Sequence, residues 1–307
     1  MSGTQIAVLI PCYNESLTLP HVIQAFKAQL PQAAIYVYDN GSMDESVKIA
    51  KANGAFVKQV TPRGKGQVVR RMFADIEADI YVMVDGDATY DATRVVEGIQ
   101  LLQQETLDMV VLTRMPHSKN SFPSGHAIGN KWFTKSVQIL FGRQFKDIFS
   151  GYRIFSRRFI KSFPAISQGF EVEAEITIHA LQLGIPIAEI ETVYQERPPG
   201  SFSKLHTVKD GWRILRTLLL LFMYVRPMAL FGMLFILLSA FSLLLGMPII
   251  IHFIQSGLVP RMPTAILAGL LGLMGSVSLV CGIILDSLSR SRLETKRFWY
   301  LAASFPR

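Results

Sequence analysis

Charge is missing from two long stretches of this 307-residue sequence. Residues 227–253 carry no formal charge, with His252 the only titratable group, and residues 263–285 carry none at all. Each run exceeds the roughly 20 apolar residues that cross a bilayer core. Neither has the position of a secretory signal, and a soluble core helix seldom stays apolar on every face. The reading is a transmembrane hairpin whose short linker, residues 254–262, holds one charge, Arg261. Cysteine is scarce too: Cys12 lies near the amino terminus and Cys281 inside the second run. They are not expected to meet, so no disulfide is expected and a reducing compartment fits. Internal repeats and low-complexity tracts are absent.

The charge that is present is unevenly placed. Lys and Arg number 31 against 23 Asp and Glu, a net +8. Lys204, Lys209, Arg213, Arg216 and Arg226 precede the first run, and Arg290, Arg292, Lys296 and Arg297 follow the second. Basic flanks stay on the cytosolic side. Both the amino-terminal region and the tail are therefore expected in the cytosol, at a bacterial-type inner membrane. Basic charge beside membrane spans points to anionic lipid and phosphorylated substrates, and argues against nucleic acid as partner. Between Thr207 and Arg226, apolar Val208, Trp212, Leu215, Leu219 and Phe222 recur every three or four positions, with basic residues between them. That spacing predicts an amphipathic helix in the membrane interface. The expected organisation is a cytosolic catalytic domain (1–206), a juxtamembrane helix (207–226), two spans (227–286) and a basic tail (287–307). The hairpin is a candidate surface for packing with other copies into a homo-oligomer.

The first half alternates strand and helix patterns. Strands are expected over 6–10, 35–38, 55–60, 80–84 and 109–113, and helices over 17–29, 67–76 and 95–104, with another from Ser42 or Asp44 to about Ala52. Such alternation implies an α/β domain with a parallel sheet. Ligands then bind beyond the carboxyl ends of the strands. Tyr13-Asn14-Glu15, Asp39 and Asp85-Gly86-Asp87 all fall at such ends.

Asp85 and Asp87 are two carboxylates one residue apart, closing an apolar strand, with Gly86 allowing close approach of a ligand. Hard oxygen donors of this kind suit Mg²⁺ or Mn²⁺, with a nucleoside diphosphate completing the shell. Arg63-Gly64-Lys65-Gly66 opens a helix and suits phosphate, although a plain basic turn reads as well. It lacks the glycine spacing and the Ser or Thr of a P-loop, which excludes that class of ATPase. Arg197-Pro198-Pro199-Gly200-Ser201-Phe202-Ser203-Lys204 is a rigid basic loop suited both to phosphate and to anchoring.

Pro11-Cys12-Tyr13-Asn14-Glu15, Asp39-Asn40-Gly41-Ser42, Gly64-Lys65-Gly66, Asp85-Gly86-Asp87, Ser150-Gly151-Tyr152-Arg153 and Arg197…Lys204 occur in this order. Together, over about residues 5–215, they resemble family 2 glycosyltransferases, in particular the polyprenyl-phosphate group that includes dolichol-phosphate mannose synthases. The resemblance implies a GT-A, Rossmann-like nucleotide-sugar domain. It implies that Pro11, Tyr13, Glu15 and Asp39 hold base and ribose, and that Asp85, Gly86 and Asp87 hold metal and diphosphate. Lys65, Arg197 and Lys204 would attend the donor phosphates, and Arg114 and Ser150 the acceptor phosphate. Asp147 and Glu173 would lie near the sugar or the loop shaping its pocket, and Lys131 is a further candidate for the lipid phosphate. Thr89 stands where many relatives have Gln, so a water or hydroxyl is expected as third metal ligand. Tyr38-Asp39-Asn40 likewise departs from the acidic pair usual in the second motif.

The expected reaction is inverting transfer of a hexose from a nucleoside-diphosphate sugar to undecaprenyl or dolichyl phosphate, in cell-envelope glycan biosynthesis. A phosphate acceptor needs no general base. A processive polysaccharide synthase, using a sugar hydroxyl, is the first competitor. It would carry Gln-x-x-Arg-Trp, and Gln195-Glu196-Arg197 is the nearest run here. A non-enzymatic translocase subunit is the second. His117, His126 and His179 are the bases a hydroxyl acceptor would need. On spacing, His179 belongs to a packed helix and the other two to loops.

Overall fold

The chain is described from a computed structural model over residues 4–116, 146–166, 169, 171–195, 197–198, 223–224 and 226–303. The juxtamembrane helix expected over 207–226 falls mostly outside the described residues, as do Lys131, Lys204, His117 and His126. The chain divides into two compact units: Met1–Ile214 with Lys296–Arg307, and Leu215–Thr295.

The first unit is built on a seven-stranded sheet. In chain order its elements are β1 (Ile6–Cys12), α1 (Leu19–Gln29), β2 (Ala34–Asp39), α2 (Ser46–Ala52), β3 (Phe56–Gln59), α3 (Lys65–Asp75), β4 (Ile80–Met83), α4 (Val95–Gln104), β5 (Met109–Pro116), β6 (Arg153–Ser156), α5 (Arg157–Ser162), α6 (Val172–Leu183) and β7 (Ile187–Tyr194). The strand order is β3-β2-β1-β4-β6-β5-β7. β1 lies inside the sheet between β2 and β4, and Ala7, Val8, Leu9 and Ile10 are all buried, as befits a strand covered on both faces.

The sheet is mixed, not parallel throughout as the alternation suggested. β1, β2, β3 and β4 pair in parallel, whereas β6 runs antiparallel between β4 and β5. β6 is four residues long and wholly buried, so it has neither the length nor the alternation that marks a strand in sequence. α2 also starts later than expected. Ser42 does not cap it: its Oγ accepts from Asn14 N at 2.8 Å, and Asp44 instead accepts from Ser46 N at 3.0 Å. β1 continues through Pro11, where the sequence suggested it would stop. β4 pairs only as far as Leu9↔Met83, so on the side that Pro11 faces its missing N–H costs no ladder bond.

A second cluster, of aromatic rings, lies under α5 and α6. His179 sits within it as the helix spacing suggested, 1% exposed, with its Nε2 3.2 Å from Ser162 Oγ. The rings of Phe159 and Phe163 lie 5.5 and 5.4 Å away. Burial, with a smaller push from Lys296, lowers its pKa to about 3. Below the unfolded-state value of ~6.5, the unfolded chain takes up a proton that the folded chain refuses, so stability falls as pH drops. The expected loss is ~2 kcal/mol between pH 7 and pH 5. Thermal unfolding of the full chain and of His179→Gln across that range checks this. The wild-type midpoint should fall more, and equal slopes would remove His179 from the account.

The second unit holds most of two long helices, α7 (Pro227–Ser256) and α8 (Met262–Ala302). Both are long and apolar enough to cross a membrane, with mean hydropathies of 2.6 and 2.2. They meet through small residues, as spans in lipid do. Ser242 Oγ donates to Ala268 O at 2.8 Å and Ser278 Oγ to Phe231 O at 3.0 Å. A Cβ on Gly282 would lie 2.9 Å from that of Phe231. α8 runs well past the apolar run, so the expected tail is helical to Ala302. Its last turns belong to the first unit. There Tyr300 donates to Asp108 Oδ2 at 2.5 Å, beneath the Arg158 guanidinium, and Lys296 donates to Gln182 at 2.9 Å.

Candidate active site

Because β1, β2 and β4 are parallel, Cys12, Asp39 and the residues after Met83 emerge on one edge of the sheet. The loops there are tied together. Asn14, at a positive φ of 51°, accepts from Met43 N at 2.8 Å, and Glu15 N donates to Ser46 Oγ at 2.9 Å. Asp39 is fully buried and accepts from the Gly41 and Ser42 amides, each at 3.1 Å. Its carboxylate therefore shapes the turn after β2, whose Ser42 Oγ receives the amide of Asn14, next to Tyr13. Asn40 holds Val60 O, Pro62 O and the Gly64 amide, at 3.1, 2.8 and 2.7 Å. That fixes the start of α3. Gly64 has φ 128°, a conformation that side chains resist, and Lys65 follows as the first helical residue. The Arg63 guanidinium lies 5.4 Å from the Tyr13 ring centre. Pro11 and Glu15 are half-buried beside this loop.

Asp85-Gly86-Asp87 follows β4. A Cβ on Gly86 would meet Ile10 Cγ2 at 3.5 Å and Glu15 Cγ at 3.6 Å, and Thr18 Oγ1 holds the Gly86 carbonyl at 2.6 Å. Each carboxylate meets a cation from a different segment. Lys65 Nζ is shared between Asp85 and Glu173 Oε1, the latter at 2.5 Å. Arg197 Nη2 donates to Asp87 Oδ2 at 2.7 Å. Arg197 is brought there by the chain after β7: Tyr194 bridges to Tyr90, and Gln195 N donates to Thr89 O at 2.9 Å. Thr89 sits behind Asp87, its hydroxyl donating to Oδ1 at 2.6 Å. It orients the carboxylate.

Burial would lower the Lys65 pKa, but Asp85 and Glu173 outweigh it and raise it, so the ammonium stays charged. Burial raises the Glu173 carboxyl, Lys65 opposes the rise, and the charge of Asp85 adds to it. Glu173 Oε2 is buried and without a partner among the described residues.

Across the site, Arg114 grips Asp147 through two bonds, Nε to Oδ2 at 2.6 Å and Nη2 to Oδ1 at 2.8 Å. Its guanidinium lies 5.4 Å from the Tyr194 ring centre. Burial would raise the Asp147 carboxyl, but Arg114 outweighs that and lowers it. Ser150 is fully buried, and its hydroxyl donates to Leu112 O at 2.6 Å, turned toward β5 and away from solvent.

The structure thus brings together Asp85, Asp87, Lys65, Glu173 and Arg197, and sets Arg114 with Asp147. Sequence reasoning did not single out Tyr90, Tyr194 or Arg153. Both tyrosines sit at strand or loop ends among aromatics, and Arg153 stands in the Ser150–Arg153 motif with no role of its own legible from sequence. Among the described residues no group of three or more His, Cys, Asp or Glu could hold a metal by itself. Asp85 and Asp87 nonetheless fit Mg²⁺ or Mn²⁺ as a two-carboxylate set of hard oxygens that a diphosphate would complete.

Residues 7–163 match the family described as Glycosyl transferase family 2. The glycosyltransferase AglJ of Haloferax volcanii is 33% identical over 208 residues, 67% of this chain and 68% of that protein. A dolichyl-phosphate hexose transferase of the same organism is 26% identical over 192 residues, 62% of this chain and 83% of its own. Among solved structures, glucosyl-3-phosphoglycerate synthase from Mycobacterium tuberculosis, in complex with Mn²⁺, UDP-glucose and phosphoglyceric acid, superposes with a TM-score of 0.57. It is 21% identical, covering 72% of this chain and 80% of that one. At that identity the likeness speaks to the fold, which is GT-A.

Proposed function

The chain belongs to glycosyl transferase family 2, and from that premise we propose that it transfers a hexose from a nucleoside-diphosphate sugar to a polyprenyl phosphate. The acceptor is undecaprenyl or dolichyl phosphate, and the reaction takes place at the cytosolic face of the inner membrane. One observation carries the reading: both carboxylates of Asp85-Gly86-Asp87 are matched by cations, Lys65 and Arg197, from separate segments at the nucleotide edge of the sheet. That alternation of charge suits a metal–diphosphate group, and the chain carries two candidate membrane spans beyond it.

The acceptor phosphate, with a second pKa of about 6, is already a good nucleophile at neutral pH. Its oxygen attacks the anomeric carbon as the bond to the nucleoside diphosphate breaks, which inverts the centre. A divalent cation on Asp85 and Asp87 would supply charge stabilisation for the leaving group. Lys65 and Arg197 add fixed positive charge beside the same oxygens, and Arg114 keeps the incoming dianion from being repelled. Lys204, outside the described residues, belongs to the donor-phosphate set in this reading. His179, in its aromatic cage, cannot act as a base, which suits an acceptor that needs none. The relative named for dolichyl phosphate supports the same acceptor class.

Membranes containing the full chain, incubated with a panel of radiolabelled sugar nucleotides and extracted for lipid, test this. Label should enter the lipid fraction, stop in excess EDTA and be released by mild acid. One observation favours a second reading, transfer to a sugar hydroxyl: Glu173 has a raised pKa, and its buried Oε2, which has no partner among the described residues, could take a proton. An acid-stable polymeric product, lost in Glu173→Gln, establishes that alternative in place of the lipid phosphate.

Topology is checked separately. With both flanks cytosolic, a Cys placed at Ser256 should react with a membrane-impermeant thiol reagent from outside intact cells, and one at Ser304 should not. Labelling at Ser304 under those conditions defeats the hairpin arrangement.

A further inference from the structure

The turn Ser150-Gly151-Tyr152-Arg153 reaches the nucleotide edge in a way that its own residues do not advertise. A Cβ built on Gly151 would overlap the Asp85 carboxylate, lying 2.8 Å from Cγ and 3.0 Å from Oδ1, and closer still to Oδ2. The backbone of Gly151 is thus a wall against which that carboxylate rests. φ at Gly151 is not positive, so the backbone tolerates a side chain. The clash would fall on the Asp85 carboxylate, whose end can move.

The wall is held from behind. Arg153 is fully buried, and its guanidinium donates to Ser150 O at 2.8 Å, Ile148 O at 2.5 Å and Thr177 Oγ1 at 2.9 Å. Two carbonyls just ahead of Gly151 in the chain are therefore fixed by one planar fork. Gly151 N donates to Tyr90 Oη at 2.9 Å, tying the turn to the segment just after Asp87. Ser150 Oγ ties it to β5. Together these contacts set where Gly151 lies.

We infer that Gly151 is a positioning residue: by lacking a side chain and being held by Arg153, Ser150 and Tyr90, it sets the Asp85 carboxylate for the divalent cation. This rests on Asp85 and Asp87 being the metal-holding pair proposed above. It also gives the turn a role in donor binding. Asp147, the partner of Arg114, lies three residues before the turn, so one stretch of chain both abuts the donor-side carboxylate and carries the carboxylate of the acceptor-side ion pair.

The test is binding of Mn²⁺ to the purified full-length protein, read from the free-ion paramagnetic resonance signal, with Mn²⁺ as the only added ligand. Wild type, Asp85→Asn and Gly151→Ala are compared, alongside thermal unfolding of each. The expected result is binding in wild type, its loss in Asp85→Asn, and a roughly tenfold or greater weakening in Gly151→Ala with an unfolding midpoint close to wild type. Adjusting a residue that only supports the fold would move the midpoint first. Gly151→Ala binding Mn²⁺ as wild type does, while Asp85→Asn does not, overturns the inference and leaves the metal pair standing. Wild type and Asp85→Asn behaving alike removes the metal pair itself, and the inference with it. Should Gly151→Ala fail to fold, Tyr90→Phe, which removes the bond from the Gly151 amide without adding an atom beside Asp85, is measured in its place: weakened Mn²⁺ binding at an unchanged midpoint is expected, and normal Mn²⁺ binding there overturns the inference.

Discussion

Asp87→Asn should abolish sugar transfer while leaving the protein folded. The substitution keeps the volume and keeps an acceptor oxygen for Thr89, whose hydroxyl and amide lie 2.6 and 3.2 Å from Oδ1. It removes the charge that faces Arg197 at 2.7 Å. The charge stabilisation a metal gives a leaving group is worth several kcal/mol, so a fall of about 10³-fold or more in kcat is expected. Stability should change little, because Arg197 keeps a water-accessible side, 28% of its side chain being exposed, and need not remain as a buried unpaired charge. Transfer by the purified variant, measured with unfolding midpoint and Mn²⁺ titration, checks this. Activity within tenfold of wild type, or full wild-type activity in excess EDTA, would falsify the assignment of the pair.

Much of this site was legible in advance for a simple reason. Asp85, Asp87 and Asp39 close apolar runs, and parallel strands place such closures on one edge, so local pattern was enough. Lys65 was legible as the opening of a helix behind glycine. The contacts that give these residues their character were not legible. Lys65 with Glu173, Asp87 with Arg197 and Arg114 with Asp147 each join positions far apart in the chain, and no periodicity reports such pairings. β6 was missed because it is short and buried on both faces, and β6 is what turns a parallel sheet into a mixed one. Ser150 shows the converse. Its motif pointed outward to a phosphate, while its hydroxyl is spent on Leu112 O inside the fold. Motif order identified the family correctly, but the direction of each side chain depended on tertiary packing.

Arg114 shows how far that difference matters, because its guanidinium has two claims on it. Asp147 takes Nε and Nη2, and it is only 5% exposed. Arg114→Ala would leave a buried carboxylate without its counter-charge, a defect that typically costs about 3–5 kcal/mol. A loss of transfer in that variant alone would therefore say little about the acceptor. The informative variant is Arg114→Met with Asp147→Asn. Asn keeps an oxygen for the Phe149 amide, which donates to Asp147 Oδ1 at 3.2 Å, and neither partner is left charged. The double variant should recover most of the stability lost in Arg114→Ala. If Arg114 also meets the acceptor phosphate, transfer should remain impaired, through a KM for polyprenyl phosphate raised about 10- to 100-fold. That corresponds to the about 1.5–3 kcal/mol of a hydrogen bond to a charged group. The KM for the sugar nucleotide should move far less. Unfolding midpoints and the two KM values, taken on the single and double variants, settle the matter. A double variant with both stability and acceptor KM restored to wild type would make the Arg114–Asp147 pair a structural clasp only, and the acceptor phosphate would need another partner.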